Sequence, residues 1–242
     1  MKKIGTYLLG FGALSAIFMI LCALGLSADY TFGKAVLPTA SETDRTVIVL
    51  DPGHGGEDGG CVSEGGILEK DLNLIVGEKI RGILSASGYD VLMTRSEDKM
   101  IYDMYGDMTD YKGKKKLFDL KNRIKFAREN SADMFVSIHM NKFPAQKYKG
   151  LQVYYSPNSD QSESLARAVK ENNTLYLQPD NTREIKAAGS NIFVLHRLEI
   201  PAVLVECGFL SNPEETKMLC DEAYQNKLAL MIAASVMQYN ES

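Results

Sequence analysis

The sequence predicts an α/β domain built on a mostly parallel, twisted sheet of about six strands, with helices on both faces. Short apolar runs alternate along the chain with segments of helical periodicity, which is the pattern of strand–helix–strand units. Several of the runs are continuously apolar, as expected of parallel strands buried on both faces. A length of 242 residues accommodates one sizeable domain and a short appendage.

The strands are predicted where apolar runs are bounded by turn residues, at Thr46–Leu50, Tyr89–Thr94, Asp133–His139, Gly150–Tyr155, Asn191–Leu195 and Ala202–Glu206. Helices are predicted where apolar residues recur at three- and four-residue steps, at Glu69–Ser87, Lys114–Asn130, Ser159–Leu177 and Tyr224–Tyr239. Asn212 followed by Pro213 signals another helix start, an N-cap with Pro at the first helical position. Residues 95–116 show no periodicity, and a long loop of this kind is usually functional or disordered.

The N-terminal segment predicts export from the cytoplasm. Lys2 and Lys3 precede the uncharged run Ile4–Leu26, which as a helix would span roughly 35 Å, enough to cross a bilayer. Residues 1–27 are interpreted as a signal-anchor, favoured by their length, or as a signal peptide cleaved near Ser27. Residues 28–45 then form a tether. The domain at 46–242 would face the outside of the membrane, anchored or secreted.

Charge and cysteine content exclude several classes of function. The formal net charge is −4 and the pI is about 5.5, so no nucleic-acid footprint is present. The four cysteines show no CxxC spacing, which excludes a structural zinc finger. Cys61, Cys207 and Cys220 are interpreted as small buried side chains. Cys207 should point away from Glu206, because neighbours on a strand face opposite sides.

Four residues near predicted strand ends are the candidates for chemistry: His54, Glu69, His139 and Glu206. His54, His139 and Glu206 each follow or end an apolar run, and ligands bind at the carboxyl ends of strands in open α/β sheets. Two imidazoles and one carboxylate, with a position left for water, form the ligand set of a catalytic zinc. The spacing does not match HExxH, so the ligands must come from separate elements.

Glu69 lies on the apolar stripe of its helix together with Leu72 and Val76. Burying a carboxylate is costly unless it is paired or coordinates a metal, although the helix dipole also favours a first-turn Glu. Its place directly after the Gly-rich loop of His54 favours a metal ligand. That loop lacks the Lys and Ser/Thr of a phosphate-binding loop. His196, the third histidine, is interpreted as a surface or hydrogen-bonded residue.

The segments DPGHGGEDGG, ILEKDLNL, MTR, SIHMN and PAVLVECGFLSNPEE occur in this order and resemble the zinc-dependent N-acetylmuramoyl-L-alanine amidases over about residues 46–240. The resemblance implies a zinc-exopeptidase-like fold, Zn²⁺ held by His54, Glu69 and His139, and catalysis by Glu206. It implies peptidoglycan as the substrate, cut between muramic acid and the first alanine. Residues 95–116 and 144–150 look most like the spore-cortex, germination-specific amidases, which implies action on cortex peptidoglycan during muramic-δ-lactam formation.

Substrate contacts are also implied. Arg183 and Lys186 match basic positions of the family and would bind stem-peptide carboxylates, or else form a solvated charged turn. Asn141 is expected to touch substrate, and Asp51 to accept a hydrogen bond from a ligand histidine. A regulatory protein partner, whose identity the sequence does not show, is also among the expected partners. The alternatives are a partner-dependent or inactive wall-binding module, and a related zinc peptidase that cuts within the stem peptide.

Overall fold

A computed structural model describes residues 45–106 and 113–241. In this part of the chain, one six-stranded sheet has the order β2-β1-β3-β6-β4-β5. All its pairings are parallel except β4 with β6, which is antiparallel. The predicted α/β class is therefore confirmed, with a mixed sheet. The strands are β1 Val47–Pro52, β2 Asp90–Met93, β3 Met134–Asn141, β4 Gln152–Tyr155, β5 Lys186–Ala187 and β6 Ala202–Phe209.

Helices cover both faces of the sheet, as predicted. They are α1 Glu69–Ala86, α2 Lys115–Glu129, α3 Asp160–Asn172, α4 Pro213–Leu219 and α5 Glu222–Asn240. A π-helical turn, Asn173–Leu177, continues α3. Apolar residues of α1, α3 and α5 share one buried cluster with one face of the sheet. Ile124 and Ala127 of α2 belong to a second cluster on the opposite face.

The turn at Asn212 shows how local sequence sets an element boundary. The Asn212 side chain accepts hydrogen bonds from the backbone N–H groups of Glu214 and Glu215, and Pro213 occupies the first turn of α4. The predicted N-cap is thus confirmed, because the side-chain oxygen satisfies N–H groups that have no partner within the helix. Asp221 caps α5 in the same way by accepting from the Tyr224 N–H.

The predicted strand Asn191–Leu195 is wrong. This segment forms turns and leads into a 3₁₀ helix at Leu195–Arg197, while the remaining strand is the short β5. Val194 and Leu195 are buried in the second cluster, and Ile192 and Phe193 pack against it. A short apolar run can bury its side chains without joining a ladder, so periodicity alone does not identify a strand.

The cysteines only partly follow the prediction. Cys207 is buried in the cluster beneath α1 and α5, on the side of β6 opposite Glu206, as predicted. Cys61 is half-buried and Cys220 is exposed, so the expectation of three buried cysteines is wrong. None of the three forms a disulfide with another cysteine of the described residues.

The predicted signal-anchor at 1–27 and nearly all of the tether at 28–45 lie outside the described residues. Among the helices of 45–106 and 113–241, none is long and apolar enough to cross a membrane.

Candidate metal centre

Three of the predicted site residues converge at the carboxyl ends of the parallel strands. One side-chain donor atom each of His54, Glu69 and His139 lies within 4.8 Å of the other two. Oε1 of Glu69 is 3.2 Å from Nε2 of His54 and 2.9 Å from Nδ1 of His139. Ligand atoms at about 2.0–2.1 Å from a tetrahedral zinc stand about 3.3 Å apart. The donor set and its spacing therefore fit a zinc ion.

Two glycines allow the loop after β1 to fold around these donors. A Cβ at Gly53 would lie 2.2 Å from the imidazole of His139. Gly60 has a φ of +69°, and a Cβ there would lie 2.5 Å from Oε2 of Glu69. His54 itself has a φ of 63°, a left-handed conformation that non-glycine residues rarely adopt. The glycines of the motif DPGHGGEDGG thus let the backbone pack closely against the donor side chains, and its histidine is itself one of the donors.

Glu69 is held as a buried, ionised carboxylate. It is the first residue of α1 and only 3% exposed. The backbone N–H groups of Cys61 and Met140 donate to its two oxygens. Burial raises the pKa of Glu69, but the contacts with His139 and His54 outweigh burial and hold that pKa well below its usual range. An ionised carboxylate next to two imidazoles is the form that binds a divalent cation.

Asp58, rather than Asp51, orients a ligand histidine. Its carboxylate lies 2.9 Å from Nδ1 of His54, close enough to pair with the ring, although the angles of this contact are not those of a hydrogen bond. A carboxylate at this place is suited to orienting a metal-binding ring. Burial lowers the pKa of His54, but the neighbouring carboxylates of Asp58 and Glu69 raise it to about 9. Sequence reasoning missed Asp58, although its position four residues after His54 in the same loop was an available signal.

Asp51 instead anchors a buried network behind the site. Its carboxylate accepts hydrogen bonds from Thr94 and Ser137, each at 2.7 Å, and pairs with Arg123 at 2.5 Å. Burial raises the pKa of Asp51, yet Arg123 and the two hydroxyls bring it below its usual range. In contrast to the prediction, Asp51 accepts no hydrogen bond from His54 or His139; its described donors are Thr94, Ser137 and Arg123.

Arg123 connects this network to the loop that carries His54. It donates to the carbonyl oxygens of Pro52 and His54 at 3.1 and 2.8 Å, and it also pairs with Asp119. Asp119 accepts in turn from the N–H of Ile101 at 2.6 Å. Ile101, in the described part of the 95–116 segment, is thus connected to the loop of His54 through Asp119 and Arg123 of α2.

We expect Arg123→Met to destabilise the fold by about 3–5 kcal/mol, because it leaves two buried carboxylates without their cation. Urea unfolding followed by circular dichroism would measure this loss. Lys121→Met is the matched control, since Lys121 is exposed on the same helix and forms no ion pair with a described carboxylate. Equal stability of the two variants would contradict the assigned role of Arg123.

Glu206 faces the same site from β6. It is the register partner of His139 between β3 and β6, so both side chains project from the same face of the sheet. Its Oε2 is buried and has no hydrogen-bond partner among the described residues. Burial raises the pKa of Glu206 to about 7, with a contribution from the negative charge of Glu69. A carboxyl group with a pKa near neutrality is suited to taking and returning a proton.

A cavity of about 530 Å³ is lined by residues 147–150 and 177–183 and by the first turn of α4. Arg183 lines it, stacks on the ring of Phe209 at 4.6 Å and donates to the carbonyl of Lys149. Asn141 is the register partner of Phe209 and lies two residues beyond His139 on β3. Lys186 lies exposed in β5 and does not line the cavity. Of the predicted substrate contacts, Asn141 thus lies at the end of β3, close to the donor His139, and Arg183 lines the cavity.

An α/β sheet with a His/Glu/His cluster at its strand ends is typical of metal-dependent hydrolases. Residues 48–238 match the N-acetylmuramoyl-L-alanine amidase family. The chain therefore belongs to this family.

Individual relatives agree with this placement. The germination-specific N-acetylmuramoyl-L-alanine amidase of Bacillus subtilis is 33% identical over 234 residues, which cover 97% of this chain and 93% of the relative. The CwlD amidase of Clostridioides difficile, solved in complex with the GerS lipoprotein, is 37% identical with a TM-score of 0.75, covering 81% of this chain and 99% of that one. The amidase AmiC2 of Nostoc punctiforme is 30% identical with a TM-score of 0.69, covering 81% and 98%.

Proposed function

We propose that the protein hydrolyses the amide bond between N-acetylmuramic acid and L-alanine in peptidoglycan, with one zinc ion held by His54, Glu69 and His139. The observation that carries this proposal is the placement of the three donors on the same face of the sheet as Glu206, whose buried Oε2 has no hydrogen-bond partner in the described part of the chain. In a chain of this family, that arrangement supplies both a metal site and a proton carrier.

The roles of the residues follow from their surroundings. A zinc ion bound by the three donors would polarise the scissile carbonyl and increase the acidity of the attacking water. Asp58 and the N–H groups of Cys61 and Met140 hold the donors in place. Glu206 takes a proton from the attacking water and delivers it to the leaving nitrogen of alanine. Its Oε2 has no hydrogen-bond partner among the described residues and is therefore available for this transfer.

The cavity beside Arg183 is suited to the stem peptide. Three cations, Lys147, Lys149 and Arg183, and three carboxylates, Asp180, Glu214 and Glu215, line it. Phe209 and the Lys149 carbonyl orient the Arg183 guanidinium. A planar guanidinium binds a carboxylate through two hydrogen bonds. Arg183 is therefore assigned to a stem-peptide carboxylate, and Asn141, at the end of β3, to the region near the scissile bond.

We expect the purified protein to release intact stem peptides that begin with a new amino-terminal alanine, leaving the glycan uncut. Mass spectrometry of digested peptidoglycan would identify these products, and a reaction with chelator would serve as the control. Only cuts within the peptide would indicate a zinc peptidase instead. Binding of peptidoglycan without release of any product, even with zinc present, would indicate a wall-binding module.

The cellular setting is proposed from the relatives. The germination-specific amidase of Bacillus subtilis supports spore-cortex peptidoglycan as the substrate during muramic-δ-lactam formation. The complex of a similar amidase with a lipoprotein supports a protein partner for this chain as well. The uncharged segment Ile4–Leu26 supports an extracytoplasmic location, with the domain anchored to or released from the membrane.

A further inference from the structure

A second cavity, of about 670 Å³, lies between α2 and the 3₁₀ helix Leu195–Arg197. We call it the basic groove. One carboxylate, Glu199, lines it, against four cationic side chains, those of Lys121, Lys125, Arg128 and Arg197. The chain as a whole carries a formal net charge of −4. Positive charge is therefore concentrated in this groove of an otherwise acidic protein.

The cations are arranged rather than scattered. Lys121, Lys125 and Arg128 follow one side of α2 over about 10 Å. Arg128 donates to the carbonyl of Arg197, and the Arg197 guanidinium stacks on the ring of Phe193 at 3.6 Å. Lys125 pairs with Glu129 at 3.5 Å. Lys121, Arg128 and Arg197 form no ion pair with any carboxylate in the described ranges, so their charges are available to a ligand.

His196 adds a polar group to the same place. It lines the basic groove, and its backbone carbonyl accepts a hydrogen bond from Asn158. Its Nδ1 is buried and has no hydrogen-bond partner within the described part of the chain. Unpaired buried polar atoms are uncommon in folded proteins.

The basic groove is remote from the candidate metal centre. The Asn158 side chain binds the carbonyl of Leu198, and the N–H of Ser156 pairs with the carbonyl of Ala202 at the beginning of β6. Glu206 lies further along β6, about 13 Å from Ala202. The basic groove therefore lies near the amino-terminal end of β6, whereas the metal donors lie at the carboxyl ends of the parallel strands. A ligand in the groove does not occupy the reaction site.

We propose that the basic groove is a second, non-catalytic site for peptidoglycan, which binds the carboxylates of stem peptides next to the one being cut. This rests on the proposed function, because the substrate of that reaction is a polymer whose stem peptides repeat. Each peptide ends in a carboxylate, and Arg and Lys side chains bind carboxylates through charge-assisted hydrogen bonds. A row of cations about 10 Å long matches repeated negative charges better than a single small anion.

An anionic membrane surface is the less favoured occupant. Surfaces that bind bilayers combine basic residues with exposed apolar side chains that enter the lipid. The residues lining the basic groove include no exposed large apolar side chain, because Phe193 is partly buried beneath Arg197. A concave groove also fits a chain-like ligand better than a flat bilayer.

The test compares a polymeric with a small substrate, using the full-length zinc-loaded chain in mild detergent. Arg128→Glu and, separately, Lys121→Glu should raise the half-saturating concentration of insoluble peptidoglycan roughly fivefold or more. Cleavage of a soluble muramyl peptide should stay unchanged. Lys227→Glu is the matched control, since Lys227 is exposed on α5, across the sheet. The difference between variant and wild type should shrink as salt concentration rises.

Cosedimentation with insoluble peptidoglycan in the presence of a chelator measures binding without turnover. The second site would be overturned if both groove variants cosedimented with peptidoglycan as well as the wild type does. It would also be overturned if Lys227→Glu lost as much binding as they do. Loss of binding to anionic lipid vesicles, with wall binding intact, would overturn it in favour of a membrane contact. If the wild type cleaves neither substrate, the proposed function fails, while cosedimentation still decides the role of the basic groove.

Discussion

We expect Glu206→Gln to lose nearly all amidase activity, by about 10²–10⁴-fold in rate, while keeping the fold and the zinc. Glutamine has nearly the same size and can still hydrogen-bond to water, but it accepts no proton at neutral pH. The expectation rests on the position of Glu206, the register partner of the donor His139, and on its buried Oε2, which has no partner among the described residues. Initial rates on peptidoglycan and zinc content would be measured on the same preparation.

A matched control separates this effect from a general change of charge. Glu171→Gln removes one exposed carboxylate from α3, on the other side of the sheet from Glu206, and should leave activity unchanged. Unfolding curves of both variants should overlie that of the wild type. Activity of Glu206→Gln within about twofold of the wild type would remove Glu206 from the reaction.

The competing assignment exchanges two carboxylates. Glu206 would then bind the metal and Glu69 would carry the proton. The geometry favours the first assignment, because Glu69 contacts both histidines at 3.2 Å or less and is held ionised by them. Loss of zinc in Glu206→Gln together with full zinc retention in Glu69→Gln would reverse the roles.

The parts of the fold that sequence predicts well are those in which local and global signals agree. The strands β1, β3 and β6 are largely apolar and mostly buried, and the N-cap at Asn212 is a local hydrogen-bonding pattern. The strand predicted at Asn191–Leu195 is absent because this segment forms turns, while its apolar side chains pack in or against the second core cluster. Whether such a run joins a ladder depends on tertiary contacts that periodicity does not contain.

The metal donors could be identified from sequence because chemistry restricts which residues can serve there, and because strand ends meet at one edge. Partners of the donors were harder to identify. Asp51 is adjacent to the loop in sequence, yet its strand directs it toward Arg123, on a helix 72 positions away. Asp58, by contrast, returns to His54 because the glycine-rich loop folds back on itself. Such assignments depend on loop geometry, which composition and spacing do not determine.

The basic groove shows a second limit of prediction from sequence. Lys121, Lys125 and Arg128 are recognisable on one side of a predicted helix, where such a row usually means a solvated surface. Only the structure adds His196 and Arg197, from the 3₁₀ helix that directly follows the predicted strand Asn191–Leu195. Charge clusters assembled from two distant segments therefore need tertiary contacts to be seen.

We expect His139→Ala to weaken zinc binding by at least about 100-fold, because replacing only the outer-shell partners of metal ligands already costs 10–100-fold. Nδ1 of His139 is 2.9 Å from Oε1 of Glu69, so its loss leaves one imidazole and one carboxylate, too few donors for a stable site. Elemental analysis after dialysis against a weak chelator would measure the effect. His196→Ala is the matched control, because it removes an imidazole from the basic groove, far from the metal donors. Stoichiometric zinc in His139→Ala would refute the ligand assignment, whereas zinc lost from His139→Ala and retained by His196→Ala would locate binding at the predicted cluster.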